Sequence, residues 1–523
     1  MARRRVRRLL AVWGRQSAWR QLDLLSYAHV PAQGELLVPE RATAILGILA
    51  NRQLLEHELV AAWRARALGP HAPSASDVQQ LLLAGLVVRK AAVGLGSFGR
   101  FECRRCGSHE SVAIVQCAVC GGECPECRDC LSLGVSRGCS ALLTTASDVL
   151  AWTDARARST SCSAPTYHLP FALSPAQESA ADEIQQAMHE GVRHVLVWAA
   201  CGAGKTEVVF EAIAEALARR GRVLIATPRR DVAAELCERL QSAFGAEVVA
   251  GLYGGVTQKY PDAPVLVATT HQAVRFAGQF QLLVFDECDA FPYTDSPLLQ
   301  RAIARLAARA GCFVQMTATP TQRQMRQARL PGSRLIHIPA RYHGYPLPVP
   351  VVCEDSRLKQ WPGRQVPACL GEALVQTEED GAQLLIFVPR RALVEPVVSA
   401  IKSVGYRRVM GVHSRSHRRD AVREALAAGA LDVAVSTTVF ERGLTFPTAN
   451  VAVLFADAEE VFDAATLIQM AGRVGRTAQR PMGRVWFLCT RPSRQMRDAC
   501  QAIEELNIMA EERGLLTACH SCP

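Results

Sequence analysis

Ala199-Ala-Cys-Gly-Ala-Gly-Lys-Thr206 puts a lysine and a threonine behind a run of small side chains. The pattern is that of a phosphate loop, G-x-x-x-x-G-K-[ST], with Ala199 in the place of the first glycine. Small residues such as Gly202 and Gly204 let main-chain N–H groups curl around phosphates at a helix N-terminus. In such a loop Lys205 would reach the outer phosphates of ATP and Thr206 would hold Mg2+. Further along, Asp286 and Glu287 close the apolar run Leu282-Leu-Val-Phe285. Apolar neighbours make two charges costly there, and Mg2+ would justify them. Asp286 would then bind the metal, and Glu287 would orient and deprotonate the attacking water. The plain alternative is a strand end with solvated acids. Gln469-Met-Ala-Gly-Arg-Val-Gly-Arg476 supplies Arg473 and Arg476, three apart and therefore expected on one helical face. Guanidinium planes stabilise charge on a transferring phosphoryl group, so this pair reads as catalytic fingers and not as a solvated face.

Cysteine forms a third constellation. Eight of the 19 fall between Cys103 and Cys139. The apolar run Leu9–Trp13 behind the basic start is too short for a signal-peptide core, so the cluster reads as metal ligation before disulfides. Cys103-x2-Cys106-x20-Cys127-x2-Cys130 matches the spacing of a closed, structural four-thiolate zinc site. Cys117, Cys120, Cys124 and Cys139 compete for the metal and leave room for a second zinc. Cys312 and Cys353 read as buried fillers and Cys201 as a small residue that its loop needs. Cys519-His-Ser-Cys522 has ligand-like spacing without a second pair and reads as a tail.

Loop, acids and arginines lie far apart in the chain, so a scaffold must bring them together. From Leu173 onward short Val/Ile/Leu runs alternate with longer helical patterns, the sign of βαβ units on a parallel sheet. Strands are expected at Val195–Ala199, Val223–Ala226, Val265–Ala268, Leu282–Phe285 and Phe313–Met316. After a Pro-rich linker at Tyr345–Pro350 they resume at Leu384–Val388, Arg408–Val412, Val433–Val435, Val451–Phe455 and Val485–Leu488. The fold class is therefore α/β, with two doubly wound parallel-sheet lobes: residues 170–343, which hold the nucleotide, and 344–523, which close on it. Before them come a helical N-terminal region over 1–98, a zinc-binding module over 99–140 and a polar connector over 141–169. Apolar spacing at Trp19–Leu25 and Ile45–Val60 supports the helices.

The 523 residues are 49% hydrophobic and 21% charged, which excludes a disordered tail or scaffold as the whole molecule. No apolar run approaches membrane-spanning length, so a cytoplasmic location is expected. Lys+Arg 59 against Asp+Glu 49 gives +10 and favours an anionic partner. Nearly all of that positive charge is arginine, so Lys205 in its glycine loop stands out.

Taken in order, the motifs resemble superfamily-2 helicases and translocases. They are Gln177 in Leu173-Ser-Pro-Ala-Gln177, the loop ending at Thr206, Thr227–Arg230, Asp286–Asp289, Thr317-Ala-Thr319, Ser436–Gly443 and Gln469–Arg476. The resemblance implies RecA-like lobes, with Gln177 reading adenine and Gly443 contacting nucleotide. It also implies that Thr317 and Thr319 couple hydrolysis to lobe movement. Thr227, Arg229, Gly254, Thr269, Thr270 and Thr437 would line a nucleic-acid track.

Within that superfamily the chain is similar to the late-competence DNA-uptake ATPases of the ComFA family. The similarity is carried by Trp198–Glu207, Ala226–Val232, Leu252–Gly255, Thr269–Gln272, Asp286–Pro292, Ile338–Arg341 and Pro346–Pro348. Cys288 departs from the valine expected there. Glu126-Cys-Arg-Asp-Cys130 followed by Gly134 favours the outer cysteine pairs as the zinc ligands. The family implies an ATP-driven, nucleic-acid-stimulated enzyme that moves on single-stranded DNA and draws transforming DNA into the cytoplasm. ATP, Mg2+ and Zn2+ would be its cofactors. It would work at the inner face of the membrane with ComFC-like and DprA-like partners and a membrane DNA channel. Two alternatives stand beside it. A PriA-like replication-restart helicase would carry its zinc ligands within the helicase half. A non-catalytic zinc-dependent DNA-binding assembly factor has no use for an intact Lys205, Asp286, Glu287 and arginine pair.

Overall fold

Short apolar runs between amphipathic helices build two parallel sheets in the computed structural model, which describes residues 39–96, 99–146, 167–169, 171–361, 365–413, 415–438 and 448–517. The expected helix at Trp19–Leu25, Gly443 and the Cys519/Cys522 tail lie outside the described residues. The chain divides into two compact units: residues 1–166, 215–283 and 290–311, and residues 167–214, 284–289 and 312–523.

In the first unit, the helix Pro39–Leu49 turns its apolar face inward through Ile45, Leu46, Ile48 and Leu49. Asn51, at φ 57, ends the helical pattern expected to run on to Val60 and leads into β1, Gln53–Leu55. Glu58 then starts the helix Glu56–Ala65 by accepting the Leu55 N–H at 3.0 Å. Ser74 and Asp77 cap the helix Ala75–Leu83 reciprocally. Short strands follow: β2 (Val87–Ala91), β3 (Val93–Leu95), β4 (Phe101–Cys103), β5 (Val112–Cys117), β6 (Gly122–Cys127), β7 (Ser136–Arg137) and β8 (Ala141–Thr145). β8 lies in the segment expected to be a polar connector, yet it pairs antiparallel with both β1 and β2. The N-terminal region thus packs its helices on a three-stranded sheet, and the cysteine module is an excursion from it.

A buried charge network joins three parts of this unit. Arg105, fully buried, donates to Glu58 at 2.7 Å, and Arg275 donates to the same carboxylate at 3.2 Å. Arg305, on the helix Pro297–Ala307, donates to the Arg105 carbonyl at 2.7 Å. Val274, Leu298, Leu299 and Ala302 close an apolar cluster with Cys103, Cys106, Cys127 and Cys130.

The first lobe's sheet has the strands β9 (His194–Ala199), β10 (Val223–Thr227), β11 (Val249–Leu252), β12 (Val265–Thr269), β13 (Leu282–Asp286), β14 (Cys312–Thr317) and β15 (Ser333–Ile338). Their order is β11-β12-β10-β13-β14-β9-β15. The second lobe holds β16 (Val351–Glu354), β17 (Gln383–Phe387), β18 (Val409–Val412), β19 (Val433–Ser436), β20 (Ala449–Leu454) and β21 (Val485–Cys489). They run β16-β21-β20-β17-β19-β18, parallel throughout. All ten expected strands are present, shifted by at most two residues. In the two lobes the three strands not foreseen, β11, β15 and β16, all lie at sheet edges and carry broken or exposed burial patterns. Tyr345–Pro350, between the lobes, has no regular structure.

Candidate active site

The phosphate loop leaves the C-terminal end of β9, and the acid pair leaves that of β13, where ligands of open α/β sheets bind. The Ala203 N–H donates to the Ala200 carbonyl at 3.1 Å, which begins the curl around the space where phosphates would lie. Gly204 has φ 71, and a Cβ there would meet the Gln177 amide nitrogen at 2.2 Å, so only glycine fits. Gln177 is buried in the helix Pro175–His189. Its oxygen accepts the Ser174 N–H at 2.8 Å, and its nitrogen donates to the carbonyls of Ala203 and Gly204 at 3.0 and 3.1 Å. In this structure the amide expected to read adenine holds the loop instead.

Lys205 is half-buried beside the acids, and Thr206 follows it at the start of the short 3-10 turn Glu207–Val209. Burial alone would lower the Lys205 ammonium pKa. Asp286 foremost, with Asp289, Cys201 and Glu287, outweighs burial and holds it above its ordinary value. Asp286 is 6% exposed, and burial pushes its carboxyl up to about 6. Lys205 opposes that rise and the Glu287 charge adds to it. A buried carboxylate held close to neutrality gains from a cation, and its oxygen chemistry, with the Thr206 hydroxyl, suits Mg2+. Glu287 sits at φ 52, in the left-handed region, a strain of order 1–3 kcal/mol that clusters at functional sites. Its N–H donates to its neighbour Asp286 at 2.9 Å. Cys288 is buried, its thiol pushed up to about 12 mainly by burial, and it accepts from Gln324 at 3.0 Å.

Asp289 links the site onward. It accepts from the Thr319 hydroxyl at 2.7 Å and from the Gln469 amide at 3.4 Å, and the Thr319 N–H donates to the Thr317 hydroxyl at 3.0 Å. The two threonines expected to couple hydrolysis to movement therefore lie in one hydrogen-bonded chain with the acid motif and the arginine segment.

The arginine pair departs from expectation. The helix Ala464–Ala471 stops at Gly472, and residues 472–475 form turns, with Gly475 at φ 65. Arg473 and Arg476 therefore do not share a helical face: Arg473 is buried in the turn, and Arg476 donates back to the Gly472 carbonyl at 2.8 Å. Close approach explains Gly472, where a Cβ would lie 2.4 Å from the Cys201 Cβ. The loop and the arginine turn are thus in direct contact.

Arg341 fastens that contact, a role its sequence position did not disclose. It is 1% exposed and donates to four main-chain carbonyls: Cys201 at 2.9 Å, Val474 and Gly475 at 2.6 Å each, and Gly472 at 3.5 Å. Three of the four lie just past the end of the helix Ala464–Ala471, where carbonyls lack helical partners and the dipole is negative. The helix end serves the guanidinium in place of a carboxylate. Burial and the nearby Arg476 lower the Arg341 pKa to about 10. The one signal in the sequence was its place in Ile338-Pro-Ala-Arg341, just ahead of the Pro-rich linker.

In the first unit, Thr227 and Thr269 are register partners at the ends of β10 and β12. Both are buried, as is Thr270 at the start of the helix Thr270–Ala273. The hydroxyls of Thr227 and Thr270 are buried without a hydrogen-bond partner. Arg229, half-buried, pairs with Asp231 at 2.7 Å, and Gly254 is exposed. Of the residues expected on the track in this unit, only these last two reach the surface. Thr437, half-buried, follows β19 in the second unit.

The outer cysteine pairs converge. Cys103 and Cys130 Sγ lie 3.8 Å apart, and Cys106 and Cys127 Sγ 3.6 Å. All four donors fall within 4.8 Å of one another. Tetrahedral zinc with Zn–S bonds of about 2.3 Å requires sulfur separations of about 3.8 Å, so the set fits zinc.

Comparison with known proteins places this geometry. Residues 40–144 match the competence protein ComFA N-terminal domain, 170–322 the type III restriction enzyme res subunit, and 365–478 the helicase conserved C-terminal domain. The competence protein ComFA of Bacillus subtilis is 35% identical over 341 residues, covering 65% of this chain and 73% of that protein. That of Streptococcus pneumoniae is 34% identical, covering 66% and 78%. The replication restart protein PriA of Synechocystis is 24% identical, covering 45% of this chain and 30% of that protein.

Proposed function

Because the chain belongs to the ComFA family of superfamily-2 helicases, we propose that it moves on single-stranded DNA to draw transforming DNA into the cytoplasm during natural competence. The chain is a nucleic-acid-dependent ATPase helicase by its motor domains, with ATP and Mg2+ as the attendant ligands. The observation that carries the reading is the direct bridge from phosphate loop to arginine turn through Arg341.

In this reading Lys205 binds the outer phosphates of ATP, while Thr206 and Asp286 hold the metal. Mg2+, when bound, screens phosphate charge and orients the outer phosphates for in-line attack. Glu287 orients the attacking water and takes its proton. Arg473 and Arg476 meet the charge that develops on the phosphoryl group. Gln177 keeps the loop curled. Thr317, Thr319 and Asp289 transmit the change at the phosphates toward Gln469. Arg229 and Gly254 contribute to a backbone-tracking groove, which makes binding salt-sensitive and largely independent of sequence.

Cys103, Cys106, Cys127 and Cys130 hold a structural zinc, which as a closed four-thiolate centre offers no open position for chemistry. This set precedes the motor and does not interrupt it, which separates the reading from a PriA-like one. Among the described residues no helix is long and apolar enough to cross a membrane. The place of action in this reading is the inner face of the membrane, beside a DNA channel and with ComFC-like and DprA-like partners.

ATP turnover measured with single-stranded DNA, duplex DNA and RNA tests the proposal. Single-stranded DNA should stimulate most, and Lys205→Ala should abolish turnover. Lack of DNA stimulation, or full turnover without Lys205, refutes it.

A further inference from the structure

Four cysteines remain in the module after the outer pairs are used. Cys117 ends β5, Cys120 lies in the turn to β6, Cys124 is on β6, and Cys139 follows β7. Their sulfurs also lie within 4.8 Å of one another, with Cys117 and Cys139 Sγ 3.8 Å apart. That separation again matches the edge of a zinc tetrahedron, about 3.8 Å.

Apolar packing does not account for this gathering. Cys120 and Cys139 are exposed, and none of the four joins the apolar cluster that surrounds the first set. All four are free thiols, so no disulfide holds them together. Backbone geometry builds a knuckle: the Gly121 N–H donates to the Cys117 carbonyl at 2.9 Å, with Gly121 at φ 68. The Gly138 N–H donates to the Pro125 carbonyl at 2.8 Å and brings Cys139 beside the hairpin. Two thiolates beyond neutrality would need a positive neighbour, and the Arg137 guanidinium lies 3.9 Å from Cys117 Sγ while paired with Glu126 at 2.6 Å. Residues three apart on a strand point to opposite faces, so β6 sends Cys124 to this set and Cys127 to the other.

We propose that Cys117, Cys120, Cys124 and Cys139 form a second zinc site, interleaved along the chain with the first, at the tip of the β5–β6 hairpin. The first site is buried on all four thiolates, whereas two ligands of the second face solvent. The second site therefore releases its metal to a chelator faster than the first. The inference is independent of the motor reading.

Elemental analysis of the purified full-length protein tests it. About two zinc ions per chain are expected in the wild type, and about one in Cys117→Ser/Cys120→Ser. A colorimetric chelator should remove zinc from the wild type in two phases of equal amplitude, and the variant should lack the fast one. The chelator measurement on wild type needs no variant, so misfolding cannot mimic the result. One zinc per chain that survives in Cys117→Ser/Cys120→Ser overturns the second site and leaves the first standing. A single release phase, or iron in place of zinc, also overturns the inference.

Discussion

Replacing Arg341 with methionine keeps the length and apolar stem of the side chain and removes its guanidinium. Three hydrogen bonds of 2.6–2.9 Å and one of 3.5 Å disappear, and carbonyls of Cys201, Val474 and Gly475 lose their buried donor. A hydrogen bond to a charged group contributes about 1.5–3 kcal/mol net, so the three short ones represent about 5–9 kcal/mol. Relief from desolvating a guanidinium at 1% exposure returns several kcal/mol. A net loss of roughly 2–4 kcal/mol in the contact between phosphate loop and arginine turn remains, a factor of about 30 to 700 in its population. Because that turn carries Arg473 and leads into Arg476, DNA-stimulated kcat/KM should fall by at least tenfold. Arg341→Lys, with its charge intact but without the planar fork, should fall between the two. Steady-state ATPase with and without single-stranded DNA, alongside calorimetric unfolding, separates lost contact from lost fold. Wild-type kcat/KM together with an unchanged unfolding temperature in Arg341→Met refutes the reasoning.

Other outcomes follow from the same geometry. Glu287→Gln keeps the size of the side chain and removes the base, so turnover should drop about 10²–10⁴-fold while ATP binding persists; an equal loss of binding argues against the assigned role. Asp286 has a folded pKa of about 6, above the ~3.9 of an unfolded aspartate, so folding favours its protonated form. That contribution, about 3 kcal/mol, is fully present below pH ~4 and is lost as the pH rises to about 6. Mg2+ competes for the same carboxylate, so the Mg2+ concentration needed for half-maximal ATPase should rise about tenfold per pH unit below about 6. An Mg2+ requirement constant between pH 5 and 7 contradicts this. Glu58→Ala strands the fully buried Arg105, and breaking such a pair costs about 3–5 kcal/mol. Thermal unfolding should then begin about 10 °C lower, and no shift beyond about 2 °C shows that the pair is not structural.

The candidate motifs were legible because they rest on residue types at fixed local spacing. A glycine-rich loop with Lys205 and Thr206, two acids at the end of an apolar strand, and Cys-x2-Cys pairs are defined within a few residues of chain. Central strands were equally legible, since β10, β12, β13, β17 and β20 are buried end to end and read as continuous apolar runs. The edge strands β11, β15 and β16 were not, because a half-exposed strand needs no such run. β8 was hidden for another reason: its partners β1 and β2 lie far earlier in the chain.

What the sequence determined by itself is the two-lobe succession of strands and an inventory of candidate groups: loop, acids, arginines and thiolates. Tertiary structure decided how they are joined. Arg473 lies in a turn and Arg476 just beyond it because Gly472 must let Cys201 approach and Gly475 leaves the helical region. Arg341 becomes a fastener only because folding carries the exposed carbonyls of a distant helix end to it. The eight clustered cysteines gather into two sets of four because strand pleating sends Cys124 and Cys127 to opposite faces. Spacing along the chain specifies a local motif, but a contact between remote segments depends on burial and on unsatisfied backbone groups, which exist only once the chain has folded.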